Sequence, residues 1–206
     1  MLMKTKEKII KESLDLFNEN TFESSTTNLI AKSSGVLEGS LWYHFNSKHD
    51  LVSVHADLFL NSFNEQKIYT EKDIALEVLE GLLSVYEILW DYRYLMRDSF
   101  GQISDSNSNL FNKILEINTS IDEWVKETII HSRSIGILII EEDDIDNIVD
   151  ISLIIGRHWL DYSRKKYPSE SNMYLRKKGV NLLIKTLYPY LSNESKETMD
   201  SIYESN

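Results

Sequence analysis

Apolar residues recur at three- and four-residue spacing along most of the chain, as in Ile10, Leu14 and Phe17 near the start and Leu79, Leu82, Leu83 and Tyr86 further on. That spacing stacks side chains on one face of a helix, and the strict alternation of a half-buried strand is hard to find. The pattern predicts helices over about 4–19, 27–33, 37–44, 47–67, 72–89, 92–102, 107–134, 143–166, 170–188 and 193–204. Only two prolines occur, Pro168 and Pro189, so nothing before them breaks a helix by removing its N–H donor. Ser47 with Asp50, Thr70 with Asp73 and Ser192 with Ser195 place hydroxyls where first-turn amides need acceptors. The segment "GILIIEED" from Gly136 reads as an apolar, extended connector.

The expected fold class is therefore all-α. The first three helices are short and the later ones longer, which divides the chain into a head over 1–46 and a body over 47–206, with the fourth helix joining them. In the head, a short helix capped near Thr26 meets Gly35, a residue free to take the left-handed conformation of a tight turn. In the next helix Leu41 and Phe45 lie four apart and, with Val36 and Ile30, form a small core, while Ala31 permits a close crossing. Glu38, Gly39, Trp42 and Tyr43 are left facing outward. Either the two aromatics fold back as local core, or they leave apolar surface that requires an external partner.

The head resembles the TetR family of bacterial transcriptional regulators. The matching residues run from Leu16 and Phe17, through Thr26 and Thr27 and then Ile30 and Ala31, to Gly35 and Val36, "GSLWYHF" and Ser47–Lys48. The signature covers residues 5–52; beyond it the likeness is one of size and helical layout. The resemblance implies a helix-turn-helix that binds a double-stranded DNA operator, with Thr27, Tyr43 and Lys48 on phosphates and Asn28, Glu38, Gly39, Ser40, Trp42 and His44 at or near base edges. Lys48 also begins a helix, where its ammonium and the free amides would face a phosphate together. Two positions depart from the family pattern: Thr21 replaces a usual glycine, and Leu37 replaces a small or hydroxyl residue, losing a cap worth about 1 kcal/mol.

Charge at first argues against nucleic acid, because the 206-residue chain carries a net −11. The head is nearly neutral: residues 1–50 hold six lysines against seven carboxylates, a balance of −1, so most of the negative charge belongs to the body. No arginine precedes Arg93, which leaves the head without a bidentate reader of guanine. The expected operator is pseudo-palindromic and rich in A·T, with Asn28 the candidate for adenine.

Cysteine is absent, which excludes disulfides, thiolate metal sites and cysteine nucleophiles. The N-terminus is too charged for a signal peptide and no apolar run is long enough to span a bilayer, so the expected location is the cytoplasm with no membrane contact. The five histidines show no metal spacing, Tyr162 to Lys166 matches a dehydrogenase pair without its nucleotide turn, and no nucleophile elbow occurs. No enzyme, cofactor or metal is expected.

In the body, Ile148, Ile151, Ile155, Trp159 and Tyr162 form one stripe and Val149, Leu153 and Leu160 another, so that helix is covered on more than one side. The next helix is similar, and Gly156 and Gly179 allow close approach. Two such pairs can build a four-helix interface in a homodimer. The middle helices supply Trp90, Tyr92, Tyr94, Met96, Phe100, Phe111, Ile114, Ile117, Ile121 and Trp124, by spacing ordinary core. The resemblance implies an inducer pocket among them, lined by Trp90, Tyr94, Arg97, Phe111, Ile114, Trp124, His158 and Trp159. Its ligand is expected to be mostly apolar and acidic at one end, with Arg97 as anchor; equally, Asp91, Asp98 and Asp161 can neutralise the arginines. The expected function is a ligand-released repressor, with a protein partner in place of the ligand as the alternative.

Overall fold

The structure is a computed structural model that describes residues 4–66, 75–97 and 108–204. The Thr70–Asp73 cap, Asp98, Phe100 and the second half of the expected 92–102 helix lie outside the described residues, as do the side chains of Leu79 and Leu160. The elements are α1 (Thr5–Glu19), α2 (Thr27–Ser33), α3 (Glu38–His44), α4 (Lys48–Asn64), α5 (Ala75–Asp91), α6 (Ser108–Ser134), α7 (Ile145–Lys166), α8 (Asn172–Leu187) and α9 (Asn193–Glu204), with short 3-10 turns at Arg93–Met96, Glu142–Asp144 and Tyr188–Tyr190. The chain divides into two compact units, one of Met1–Asn64 with Asp91–Ile117 and one of Glu65–Trp90 with Asn118–Asn206.

In the first unit, Ile9, Phe17, Ile30, Leu41, Leu51 and Phe59 are fully buried. Gly35 closes α2 at φ +67, with its N–H on the Lys32 carbonyl and that of Val36 on the Ala31 carbonyl. This double closure satisfies carbonyls the helix leaves orphaned, and it requires a residue without a Cβ penalty. Thr26 accepts from the Leu29 N–H at 3.2 Å, and Ser47 and Asp50 cap α4 reciprocally. Leu37 precedes α3 with no side-chain cap, as its apolar side chain dictates.

The expected 92–102 helix begins instead as a 3-10 turn. The side-chain amide of Asn18 donates to the Asp91 carbonyl at 2.6 Å and accepts from the Tyr94 N–H at 3.1 Å. A long-range side chain thus takes the backbone groups that local helix would have used, a competition no local spacing encodes.

In the second unit, Val78, Ile129, Ile148, Val149 and Met199 pack into one apolar cluster. Gly136, at φ +76, ends α6 with the same double closure as Gly35, through N–H bonds from Gly136 to Arg133 and from Ile137 to Ser132. The connector that follows is extended, as its pattern indicated. It pairs antiparallel at Leu138 and Leu191, with the Ile139 N–H on the Tyr190 carbonyl at 2.7 Å. On α8, Gly179 has Tyr86 and Trp159 seated directly over its Cα, so that any Cβ would collide with the Tyr86 hydroxyl.

Candidate DNA-reading face and ligand cavity

α3 turns Leu41 into the head's core and leaves its other side in water. Tyr43 is 85% exposed, Leu37 just before the helix is 82% exposed and Trp42 is 44% exposed, so the two aromatics do not fold back as core. Gly39 is exposed with nothing within 4 Å of where a Cβ would stand, so the free protein has no steric need of glycine there. Asn28 is exposed on α2, and Ser40 and His44 are half-buried on α3, the imidazole standing edge-on to the Tyr43 ring at 5.1 Å.

Three residues expected on DNA, Thr27, Glu38 and Lys48, have partners inside the protein. The Thr27 hydroxyl donates to the Glu38 carboxylate at 2.5 Å, linking α2 to α3 and fixing the direction of Glu38. Lys48 is placed differently from the expectation. Its ammonium donates to the Phe22 carbonyl at 2.5 Å and the Ser25 carbonyl at 3.0 Å and lies 4.2 Å from the centre of the Phe22 ring. Burial pushes its pKa below the usual lysine value. Carbonyls of the turn between α1 and α2 attract the ammonium more directly than solvent does, so Lys48 braces that turn.

The second unit contains a cavity of about 100 Å³ lined by side chains of α5, α6, α7, α8 and α9, most of them apolar. Of the expected pocket residues, Trp124 lines it. Trp90 is buried elsewhere, and Trp159 is buried with its indole N–H on the Leu175 carbonyl at 2.9 Å. His158 lies exposed on the same stripe of α7 as Ile151, Ile154 and Tyr162. Tyr94, Arg97, Phe111 and Ile114 belong to the first unit, where Ile114 is buried and Phe111 is 42% exposed.

Arg97 was expected to anchor a ligand; it clamps the end of α1 instead. Its guanidinium donates to the carbonyls of Phe17 at 2.9 Å, Asn18 at 2.8 Å and Asn20 at 2.5 Å, groups that a helix C-terminus leaves unpaired. Beside it, Arg93 pairs with Glu19 at 2.7 Å. Tyr94 has its hydroxyl 2.8 Å from Nδ1 of His55, whose Nε2 lies 2.9 Å from the Ile10 carbonyl and 3.3 Å from the Ser13 hydroxyl. In this network Nε2–H donates to the carbonyl and Nδ1 accepts from the phenol, so the imidazole is held neutral. Burial lowers the His55 pKa to about 4 and raises that of Tyr94 well above its ordinary value.

Sequence reasoning missed most of the cavity's wall. Leu82, Leu83, Leu153 and Gly156 line it, and in the sequence all four read as stripe or close-packing residues. Core and cavity lining share one periodicity, so spacing alone carries no signal that tells them apart. Among the described residues no group of three or more His, Asp and Glu side chains could hold a metal ion, and no helix is long and apolar enough to cross a membrane.

Comparison with known proteins bears on both units. Residues 9–54 match the family described as "Bacterial regulatory proteins, tetR family", and residues 59–199 match TetR, "Bacterial transcriptional repressor". The chain is 28% identical over 127 residues to the biofilm operon icaADBC negative transcriptional regulator IcaR of Staphylococcus epidermidis, covering 59% of this chain and 68% of that one. It is 23% identical over 124 residues to IcaR of Staphylococcus aureus strain Newman, covering 58% and 67%. A TetR-family regulator from Marinobacter aquaeolei VT8 superposes with a TM-score of 0.76 at 26% identity over 98% of both chains. The ketosteroid regulator KstR2 of Mycobacterium tuberculosis shares the fold, with a TM-score of 0.68 at 17% identity over 94% of this chain and 98% of that one. With family matches over both the helix-turn-helix and the body, the chain belongs to the TetR family of DNA-binding transcriptional regulators.

Proposed function

We propose that the protein is a homodimeric repressor of the cytoplasm that holds a pseudo-palindromic, A·T-rich operator through its two α3 helices and leaves it when a small, mostly apolar molecule binds in the body. The observation that carries this reading is the outward face of α3, where Trp42 and Tyr43 are exposed above a buried Leu41. Ser40, Trp42, His44 and Gly39, with Asn28 of α2, meet base edges; Tyr43 meets phosphate. Thymine methyls and adenine amide pairs suit this face, which carries no arginine. Thr27 and Glu38 act as a linked pair at its edge, and Lys48 supports the turn behind it.

Two copies must present α3 to successive major grooves about 34 Å apart. The exposed stripe of Ile151, Ile154 and Tyr162 on α7 supports pairing through α7 and α8. A ligand that favours a dimer with another spacing need supply only about 1 to 3 kcal/mol of coupling to empty much of an operator. The alternative, a body that binds a protein partner, gains support from a filled interior; a cavity lined by Trp124 and α7 favours the small molecule.

The test is selection of duplex DNA by the purified protein, repeated with Tyr43→Ala. The expected product is an inverted repeat rich in A·T that the variant no longer enriches. A guanine-rich operator would sink the base-reading assignment, and no enriched site at low or physiological salt would sink the DNA-binding role itself.

A further inference from the structure

Two groups stand out among the polar atoms of the cavity wall. The hydroxyls of Thr128 and Ser132 donate to carbonyls one turn back on α6, Thr198 does the same on α9, and Ser195 is paired with Ser192. The Tyr86 hydroxyl, the Ser152 hydroxyl and Nε of Arg157 are buried and find no hydrogen-bond partner among the described residues. All three belong to residues that line the cavity, on α5 and α7. Buried polar groups in native proteins are almost always partnered, so three orphans around one cavity point to a binding partner from outside the chain.

Their chemistry restricts that partner. Arg157 Nε–H can only donate, and the phenol of Tyr86 keeps its proton because burial raises its pKa far above the ordinary value, so it donates as well. Among the described residues of the wall Arg157 is the one that carries charge, and neither a carboxylate nor an amine joins it there. Its guanidinium is already fixed from the other end, with one terminal nitrogen donating to the Asn118 carbonyl at 2.8 Å and lying 2.8 Å from Asp122. Fixing the guanidinium in advance leaves Nε with no rotamer freedom to lose when it meets a ligand.

Building on the ligand-pocket reading above, we propose that the cavity takes a compact monocarboxylate, whose apolar body lies among the aliphatic side chains of α5, α6 and α8 and whose carboxylate accepts hydrogen bonds from Arg157, Tyr86 and Ser152. A volume of about 100 Å³ limits the body to a short chain; an apolar cavity of roughly 150 Å³ holds a benzene ring. A cationic head meets no carboxylate among the described residues of this wall, only neutral hydroxyl oxygens, and is repelled by the Arg157 guanidinium. A purely apolar ligand fills the space and leaves the three donors unpaired.

The experiment measures binding of pentanoate, 1-aminopentane and pentane to the full chain by calorimetry and by the shift in thermal midpoint. Pentanoate is expected to bind more than tenfold more tightly than 1-aminopentane. Tyr86→Phe and Ser152→Ala, which each remove one oxygen, are expected to weaken pentanoate roughly tenfold, and Arg157→Gln roughly a hundredfold, with pentane binding unchanged. Equal binding of pentanoate and 1-aminopentane overturns the carboxylate assignment, as does pentanoate affinity indifferent to Tyr86→Phe and Arg157→Gln, while pentane binding then leaves the pocket itself standing. Failure of all three probes, pentane included, overturns the pocket reading along with it.

Discussion

Around Tyr94 in the first unit the buried phenol meets His55, His55 meets Ile10 and Ser13, the Asn18 side chain is bonded to backbone groups of Asp91 and Tyr94, and Arg97 to carbonyls at the end of α1. Around Tyr86 in the second unit a phenol, a serine hydroxyl and a guanidinium nitrogen are buried beside a cavity with no such partners among the described residues. A satisfied polar network fixes geometry, because each member restricts the others and any displacement strands a desolvated group. A cavity with orphaned donors has the opposite property: it can gain interactions without first breaking any. The unit that holds α3 is therefore built to keep one shape, and the unit with the cavity retains binding capacity.

Acid gives the largest expected effect on this contrast. His55 has a folded-state pKa of about 4 against an ordinary 6.5. Between those values the unfolded chain binds more protons than the folded one, so stability is full above pH 6.5 and falls as pH drops towards 4. The loss amounts to about 3 kcal/mol from this one group. Denaturation of the wild type and of His55→Gln at pH 7 and pH 4.5 checks it; the variant should show a clearly smaller acid loss. Equal acid losses in the two proteins would remove the histidine network as the stabiliser of the first unit.

The glycines of the second unit give a smaller effect and a sharper one. A Cβ at Gly179 would collide with the Tyr86 hydroxyl and stand 2.5 Å from Cδ1 of the buried Trp159 ring, so Gly179→Ala is expected to cost about 2 kcal/mol through overpacking. At Gly156, on the cavity wall, the nearest neighbour is Leu89 Cδ1 at 3.9 Å. Gly156→Ala should therefore be neutral or stabilising by up to about 1 kcal/mol, since alanine is the better helix former. Thermal unfolding of the pair measures whether packing in this unit is tight at one glycine and open at the other.

Arg97→Met is the mildest of the three in the free protein. Removing a guanidinium that serves three carbonyls, partly in reach of water, is expected to cost about 1.5 kcal/mol in stability. The same variant should bind pentanoate as the wild type does, whereas Arg157→Gln should not. A variant at Arg97 that lost ligand binding at wild-type stability would reverse the assignment of the two arginines.

Much of the head was legible because its signals are local. Gly35 announces a left-handed turn, Thr26 a cap, and Leu41 and Phe45 a buried stripe that forces Trp42 and Tyr43 outward; each conclusion needs only neighbours within one or two turns. Lys48, Arg97 and the break at Tyr92 were not legible for the opposite reason. Lys48 is bonded to residues 23 and 26 positions earlier, and Arg97 to residues 77 to 80 positions earlier. A long charged side chain offers donors to whatever acceptor the fold brings near, and its own sequence neighbourhood does not say which.

The cavity marks the boundary between the two kinds of knowledge. The pattern of apolar residues by itself determined that the chain is helical, where most of its helices run and that α3 has an outward aromatic face; Gly35 marked the turn before it, and the family resemblance implied the helix-turn-helix. Helical periodicity and turn chemistry are properties of short stretches, and burial of a stripe follows from them. Only the tertiary structure decided which apolar side chains fill space and which surround it, that Arg157 rather than Arg97 stands at the cavity, and that Tyr86 and Ser152 stand there unpaired. Packing depends on how residues from five helices meet, and the spacing within any one of them is the same whether the space beyond is filled or open.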